Sequence, residues 1–193
     1  DEITASSLVK LDYEGNVLMQ GDYPVNQAGY TIHSAVLSGR EDVFSVAHTH
    51  TRAGMAISAQ KDGLLPLNQT ALRFYKRLSY HPYEGVALDH SERERLIGHL
   101  GTNKAMILRN HGLLVGGRSV AEAFTLLYNL EVSCQTQLAA QAGGELILPP
   151  HDVCEHAASQ FWPEGQTSPS PVIDDAWAAQ IRRLDRQNPG YDA

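Results

Sequence analysis

The residues best suited to chemistry close an apolar run: "VFSVAHTHTRAG", Val43 to Gly54, carries His48 and His50 one residue apart. Alternate side chains of a strand share a face, so the two imidazoles project together. Two neutral imidazoles on one face can grip a divalent cation, with a third ligand supplied from elsewhere. The competing reading is a pair of hydrogen-bonded or surface histidines at a strand end. A further histidine, His111, sits in "LRNHGLLVGG" at the turn after a second apolar strand. Flanked by Asn110 and Gly112, it can leave its own strand and reach the end of a neighbouring one.

The elements that must position these side chains follow from periodicity. "SSLVKLDYEGNVLMQGD" alternates on both sides of Glu14-Gly15-Asn16, a hairpin signal. "NQAGYTIHSAVLSG" places Ile32, Ala35 and Val36 at helical spacing and ends in Gly39. "DVFSVAH" then reads as a buried strand. The stretch "GLLPLNQTALRFYKRL" is ambiguous, broken by Pro66 and compatible with a helix after Asn68. Ser91 and Glu94 stand at capping-box spacing before a helix that stops near Gly101. "KAMILRNHGLLVGG" gives two strands joined at Asn110-His111-Gly112. In the long helix after it, Ser119 and Glu122 predict a second capping box. Phe124, Leu127, Leu130, Cys134 and Leu138 form its apolar stripe, and Gly143-Gly144 ends it. "ELILPP" reads as a last short strand, "WPEGQTSPSPV" as a surface loop or linker, and "DAWAAQIRRLDRQ" as a final helix. Helices alternating with strands predict an α/β layered domain around a mixed sheet.

Bulk numbers bound the function. With 193 residues, 42% hydrophobic and 19% charged, the chain is expected to form one globular domain with a real core. A formal net charge of −7 disfavours holding a phosphate backbone, so no nucleic-acid partner is expected. No apolar run approaches the ~18 residues of a membrane span, and "DEITASS" is no signal peptide. Cys134 and Cys154, without C-x-x-C spacing, read as reduced thiols of a cytoplasmic protein, Cys134 as a core residue.

"HTH" and "RNHG", in that order and context, resemble the ligand pattern of the class II aldolase/adducin family. The likeness extends through "NQAGYTIHSAV" before the first motif and "LLVGGRSVAEAF" after the second, covering roughly residues 3 to 145. The "AGY-x-x-H" form looks like the adducin-type bacterial branch. The resemblance implies a three-layer α/β/α sandwich with a central mixed, mainly antiparallel sheet. It implies that His48, His50 and His111 hold a divalent ion, zinc first, with manganese or iron as alternatives. It further implies lyase chemistry: carbon–carbon cleavage or decarboxylation of a small carboxylic, hydroxy or keto acid chelated to the metal. Rings of four subunits, with sites near their boundaries, complete the expectation. Residues 1–160 would form the metal-binding domain, and 161–193 a Pro/Ser-rich linker with a C-terminal helix. In relatives a helical segment and a substrate loop precede the hairpin, so an N-terminal portion is expected before Asp1.

Departures from the pattern matter. Gly29 stands where sugar-phosphate aldolases of the family carry a glutamate that serves as ligand and base. Gln27-Ala28 replaces their phosphate-binding serine pair, and Gln69-Thr70 falls near their tyrosine proton donor. The same domain also serves non-haem iron oxygenases and the cytoskeletal adducin head, so an oxygenase and a non-catalytic interaction module remain alternatives. Glu84 in "YHPYEG" could replace the missing base or be a solvated loop residue; His81 and Tyr83 are comparable candidates. Arg52 and Arg109 flank the histidines and could take a substrate carboxylate bidentately, or form surface salt bridges. His33 reads as a hydrogen-bonded core histidine or as a residue behind the ligands. His90, His99, His151 and His156 read as surface residues.

Overall fold

The computed structural model describes residues 3–86, 91–162 and 171–193. A 3₁₀ turn at Ala5–Ser7 leads into a hairpin of β1 (Lys10–Leu11) and β2 (Val17–Met19), antiparallel and separate from the main sheet. Gly15, at φ 91°, makes the reversal, and Asp12 accepts from the backbone N–H of Asn16 at 2.8 Å.

The main sheet contains β3 (Ser45–Thr49), β4 (Leu78–His81), β5 (Ala105–Leu108) and β6 (Gly112–Gly117), in spatial order β3-β6-β5-β4. β3/β6 and β6/β5 are antiparallel and β5/β4 is parallel. Alternation along these strands sorts the core into two. Ile107, Leu113 and Val115 face one side; they pack with Ala53 and Ile57 of α2 (Arg52–Ser58) and with Leu126, Leu130 and Cys134 of α5 (Val120–Ala142). The short α3 (Gln69–Leu72) lies against α5. Met106, Leu108 and Leu114 face the other side, against Ile32, Ala35 and Val36 of α1 (Gln27–Gly39) and Leu96 and Leu100 of α4 (Glu92–Leu100). The result is the expected α/β/α sandwich around a mixed, mainly antiparallel sheet.

Two more helices complete the chain. α6 (His151–Phe161) packs on α3, and α7 (Pro171–Gln187) returns to α5, where Trp177 lies 5.4 Å from Phe124 between ring centroids. Trp162 donates its indole N–H to the Arg73 carbonyl at 2.8 Å. The apolar tail thus folds back on its own chain. Among the described residues no helix is long and apolar enough to cross a membrane.

Several local expectations are corrected. "ELILPP" forms no strand: Pro149 and Pro150 cannot donate to a ladder, Ile147 is 92% exposed, and Pro150 instead precedes α6. Ser91 opens α4 without a capping bond, because its backbone is helical (φ −67°, ψ −21°), not extended. Ser119 does cap α5 through the Glu122 N–H at 3.1 Å, but the Glu122 carboxylate accepts from the Arg118 N–H and from Lys104 instead of closing the box. Phe124 leaves the core stripe for the α7 contact. The segments α2, β4 and α6 were not expected as elements. Most of "WPEGQTSPSPV" and all of His90 lie outside the described residues.

Candidate metal centre

His48, His50 and His111 converge. Their ring centroids are 4.7 Å (His48–His50), 4.8 Å (His48–His111) and 4.6 Å (His50–His111) apart, a nearly equilateral triangle. One nitrogen of each ring lies within 4.8 Å of the other two. His48 is in β3, His50 just past its end, and His111 in the turn between β5 and β6. Antiparallel pairing of β3 with β6, with Thr49 opposite Leu113, brings that turn beside the strand end.

The approach of the two strands has a steric condition. A Cβ at Gly112 would lie 2.3 Å from the Thr49 carbonyl oxygen and 3.2 Å from the His50 ring, so only glycine lets β6 pass this close. Asn110, at φ 54°, adopts the left-handed conformation that asparagine tolerates, and the His111 N–H closes the turn onto Leu108 O at 3.1 Å. On the other flank, Thr51 opens α2 and donates its hydroxyl to Glu131 of α5 at 2.5 Å, fixing the chain directly after His50. Gly54 admits the side chain of Leu113, whose Cγ would be 2.6 Å from a Cβ there.

Electrostatics favours neutral rings at His48 and His111. Burial holds His48 down to about 4; its bond to Leu113 opposes this, and His111, His50 and His33 add to it. Burial also lowers His111, with His50 and His81 contributing. The Nδ1–H of His48 donates to Leu113 O at 2.8 Å, which leaves a lone pair on Nε2. That Nε2 faces the His50 Nε2 at 2.8 Å, so any proton between them is one a cation would displace. Three imidazoles, one oriented by a backbone carbonyl, form a donor set that fits a divalent ion and leaves positions for other ligands.

The other predicted residues are distributed less simply. His33 is half-buried on α1, and burial lowers it. Arg52 is exposed at the start of α2 and makes no ion pair among the described residues. Arg109 donates to the carbonyls of Gln60 at 2.6 Å and Lys61 at 3.3 Å and stacks 4.2 Å over the Tyr80 ring. Glu84 is gripped by Arg95, with bonds of 3.0, 3.0 and 2.5 Å, and that guanidinium holds its carboxyl below the usual range. Tyr83 stands 6.4 Å from His111 between ring centroids.

Two features escaped the sequence. Glu131 is one; its partner Thr51 is 80 residues away. The other is a buried polar group around His81, 2% exposed on β4, whose Nδ1 meets His99 Nδ1 at 2.8 Å and whose Nε2 meets Glu92 at 3.2 Å. His99 is exposed as expected, yet engaged; His151 and His156 lie exposed on α6.

The model of the class II aldolase and adducin N-terminal domain matches residues 1–138. The chain is 50% identical over 191 residues to a Pseudomonas aeruginosa protein provisionally named a class 2 aldolase, covering 98% of this chain and 74% of that one. It is 41% identical to rat alpha-adducin over 98% of this chain but 27% of that protein. Among solved structures, an aldolase II superfamily protein from Pseudomonas syringae superposes with a TM-score of 0.90 at 48% identity, covering 98% of this chain and 75% of that one. An L-fuculose 1-phosphate aldolase from Glaciozyma antarctica gives 0.80 at 28%, covering 99% and 73%.

Proposed function

Since the chain belongs to the class II aldolase and adducin family, we propose that it is a divalent-metal-dependent lyase acting on a small carboxylic, hydroxy or keto acid. The observation that carries this reading is the convergence of His48, His50 and His111, with His48 Nδ1 committed to Leu113 O. A bound ion, zinc first with manganese or iron as alternatives, would polarise the acid's oxygens and stabilise the enolate-like charge that develops on cleavage or loss of carbon dioxide.

The chain's own residues supply the rest. Neutral imidazoles add no negative charge, so the site keeps its full attraction for an anionic acid. Arg52, two residues after His50 and without a carboxylate partner among the described residues, is the cation assigned to meet that acid at the exposed side. The turn of β5 into β6 and the Thr51–Glu131 bond hold the rings from opposite flanks, so they need little rearrangement. His33 sits behind His48 as a neutral neighbour. Glu84 is the base candidate of this chain, and Arg95 weakens it in that role. The reading therefore includes a homo-oligomer, most simply a tetramer, in which a neighbouring subunit contributes to proton transfer. Residues 1–160 are assigned as the catalytic domain, 161–193 as linker and tail, of a cytoplasmic enzyme in the adducin-type bacterial branch.

The test is a panel of 2-hydroxy and 2-oxo acids given to zinc- and manganese-loaded protein, with carbon dioxide and aldehyde products measured. Turnover that a chelator removes, and that His111→Ala lowers by at least a hundredfold, supports the lyase. Oxygen uptake by the iron-loaded protein in place of cleavage favours the oxygenase alternative. No turnover of any acid by stoichiometrically loaded protein favours the interaction module.

A further inference from the structure

Beside the turn that carries His111 lies a cleft of about 660 Å³. The stretch from Ser58 to Lys61 forms one wall; Tyr80 and Tyr83 and the turn residues Arg109 and Asn110 form the other. Its charged liners are Lys61 and Arg109, both cations, in a chain of net charge −7. Among the described residues neither pairs with a carboxylate. Two unneutralised cations in one concavity of an otherwise acidic protein focus a local positive potential.

The guanidinium there is held in place. Arg109 uses two N–H groups on the Gln60 and Lys61 carbonyls, and its plane lies 4.2 Å from the Tyr80 ring centre. A guanidinium carries five N–H donors, so others remain for a ligand. The Arg109–Gln60 bond also ties the Lys61 wall to the turn, and the Asn110 N–H to Ser58 O bond at 3.2 Å ties it again. The Arg109 guanidinium and the backbone of Lys61 are thereby fixed relative to His111, which follows Asn110 directly. Tyr83 lines the cleft and stands 6.4 Å from the His111 ring, so the cleft adjoins the metal centre on the His111 side.

We infer that this cleft binds a second anionic group of the substrate, a carboxylate or a phosphate, while the acid's other end faces the histidines. The inference rests on the metal-centre reading for its chelating end and narrows the substrate class to acids with a distal anion. Lys61 supplies a flexible point charge and Arg109 a fixed planar fork, with Tyr83 covering the connecting carbons. A monoanionic acid of the same length would leave both cations unmatched.

The experiment compares 2-oxoglutarate and 2-oxoadipate with 2-oxopentanoate, which has the same 2-oxo acid end without a distal carboxylate. Binding to the Mn²⁺-loaded full chain is read by calorimetry, with phosphonopyruvate as the phosphate-type arm. At least one dianionic acid should bind tenfold or more tighter than 2-oxopentanoate. That preference should fall below threefold in Lys61→Gln and persist in Lys10→Gln, a cation outside the cleft. A dicarboxylate preference identifies the group as carboxylate, and a preference confined to phosphonopyruvate as phosphate-like. Equal affinities in the wild type overturn the inference, as does a preference that Lys61→Gln retains. If Mn²⁺ itself fails to bind, the metal-centre reading falls, and the cleft is decided on the metal-free chain with glutarate. Saturable glutarate binding lost in Lys61→Gln then supports the cleft, and its absence overturns it.

Discussion

The Nδ1–H of His48 and the carbonyl of Leu113 are joined across the β3/β6 ladder at 2.8 Å. The sheet that carries the first histidine therefore also sets its tautomer, and Nε2 is turned toward His50. Positioning and protonation are two consequences of one strand pairing.

This relationship has a pH signature. His48 titrates near 4 when folded against an ordinary value of 6.5, and burial lowers His111 in the same direction. A histidine depressed in the folded state leaves the unfolded chain binding more protons between those values. Stability is thus fully present above about pH 6.5 and is lost as pH falls toward 4, by up to about 3 kcal/mol from His48 alone. Urea melts of metal-free protein at pH 7, 5.5 and 4.5 should show midpoints falling in that order. In His48→Gln the fall should be smaller; an equal fall would assign it to other groups.

Gly112→Ala should damage the centre more than the fold. Its Cβ would sit 2.3 Å from the Thr49 oxygen, so β3 and β6 must part beside His50 and His111. Overpacking of this kind costs about 1–3 kcal/mol. The expected outcome is a folded protein with a lowered melting temperature and at least tenfold weaker zinc binding. Unchanged affinity would mean that the close approach does not position the rings.

Thr51→Val removes the hydroxyl whose bond Glu131 accepts and, among the described residues, leaves that half-buried carboxylate with Gln135 alone. Loss of a charged hydrogen bond of this type costs about 1.5–3 kcal/mol, and loosening of the His50 flank should weaken metal affinity about tenfold. Thr51→Ser, which keeps the bond, should restore both. Calorimetric melting and zinc titration of the pair read this directly.

Why some of this was legible in the sequence and some was not has a physical cause. His48 and His50 announced themselves because an apolar strand ended in them, and His111 because Asn110 and Gly112 mark a turn. The layered fold followed from the helical periodicity of α1 and α5 and the apolar runs of β5 and β6. Tertiary partnerships carry the rest. β4 has four residues, and its identity comes from parallel pairing with β5, while "YHPYEG" reads locally as a turn. His81 is buried because Glu92 and His99 arrive from α4, which no spacing encodes. Glu131 occupies a polar position of a periodic helix, where a solvated face is the default. Gly54 lies in α2 where Leu113 packs against it, a contact that no local spacing announces.

Gly29 offers a test of substrate class. It occupies the third position of α1, where the atoms nearest a Cβ would be those of Asn26, at 3.7–3.8 Å. A Cβ there is in ordinary contact, so Gly29→Glu should fold and gain about 0.5–1 kcal/mol of stability in the helix. Wild-type protein should cleave fuculose and ribulose phosphates weakly or not at all, and the variant measurably better. Robust metal-dependent cleavage by the wild type would contradict the alignment of this helix with the family glutamate.

Metal stoichiometry tests the central claim most directly. Protein purified anaerobically, loaded with zinc and dialysed, is analysed by inductively coupled plasma mass spectrometry beside His48→Ala, His50→Ala and His111→Ala. The account predicts about one ion per chain in the wild type and a loss of most of it in each variant, with all four proteins folded by circular dichroism. Wild-type protein without stoichiometric metal, or a His111→Ala variant that keeps it, would contradict the centre proposed here.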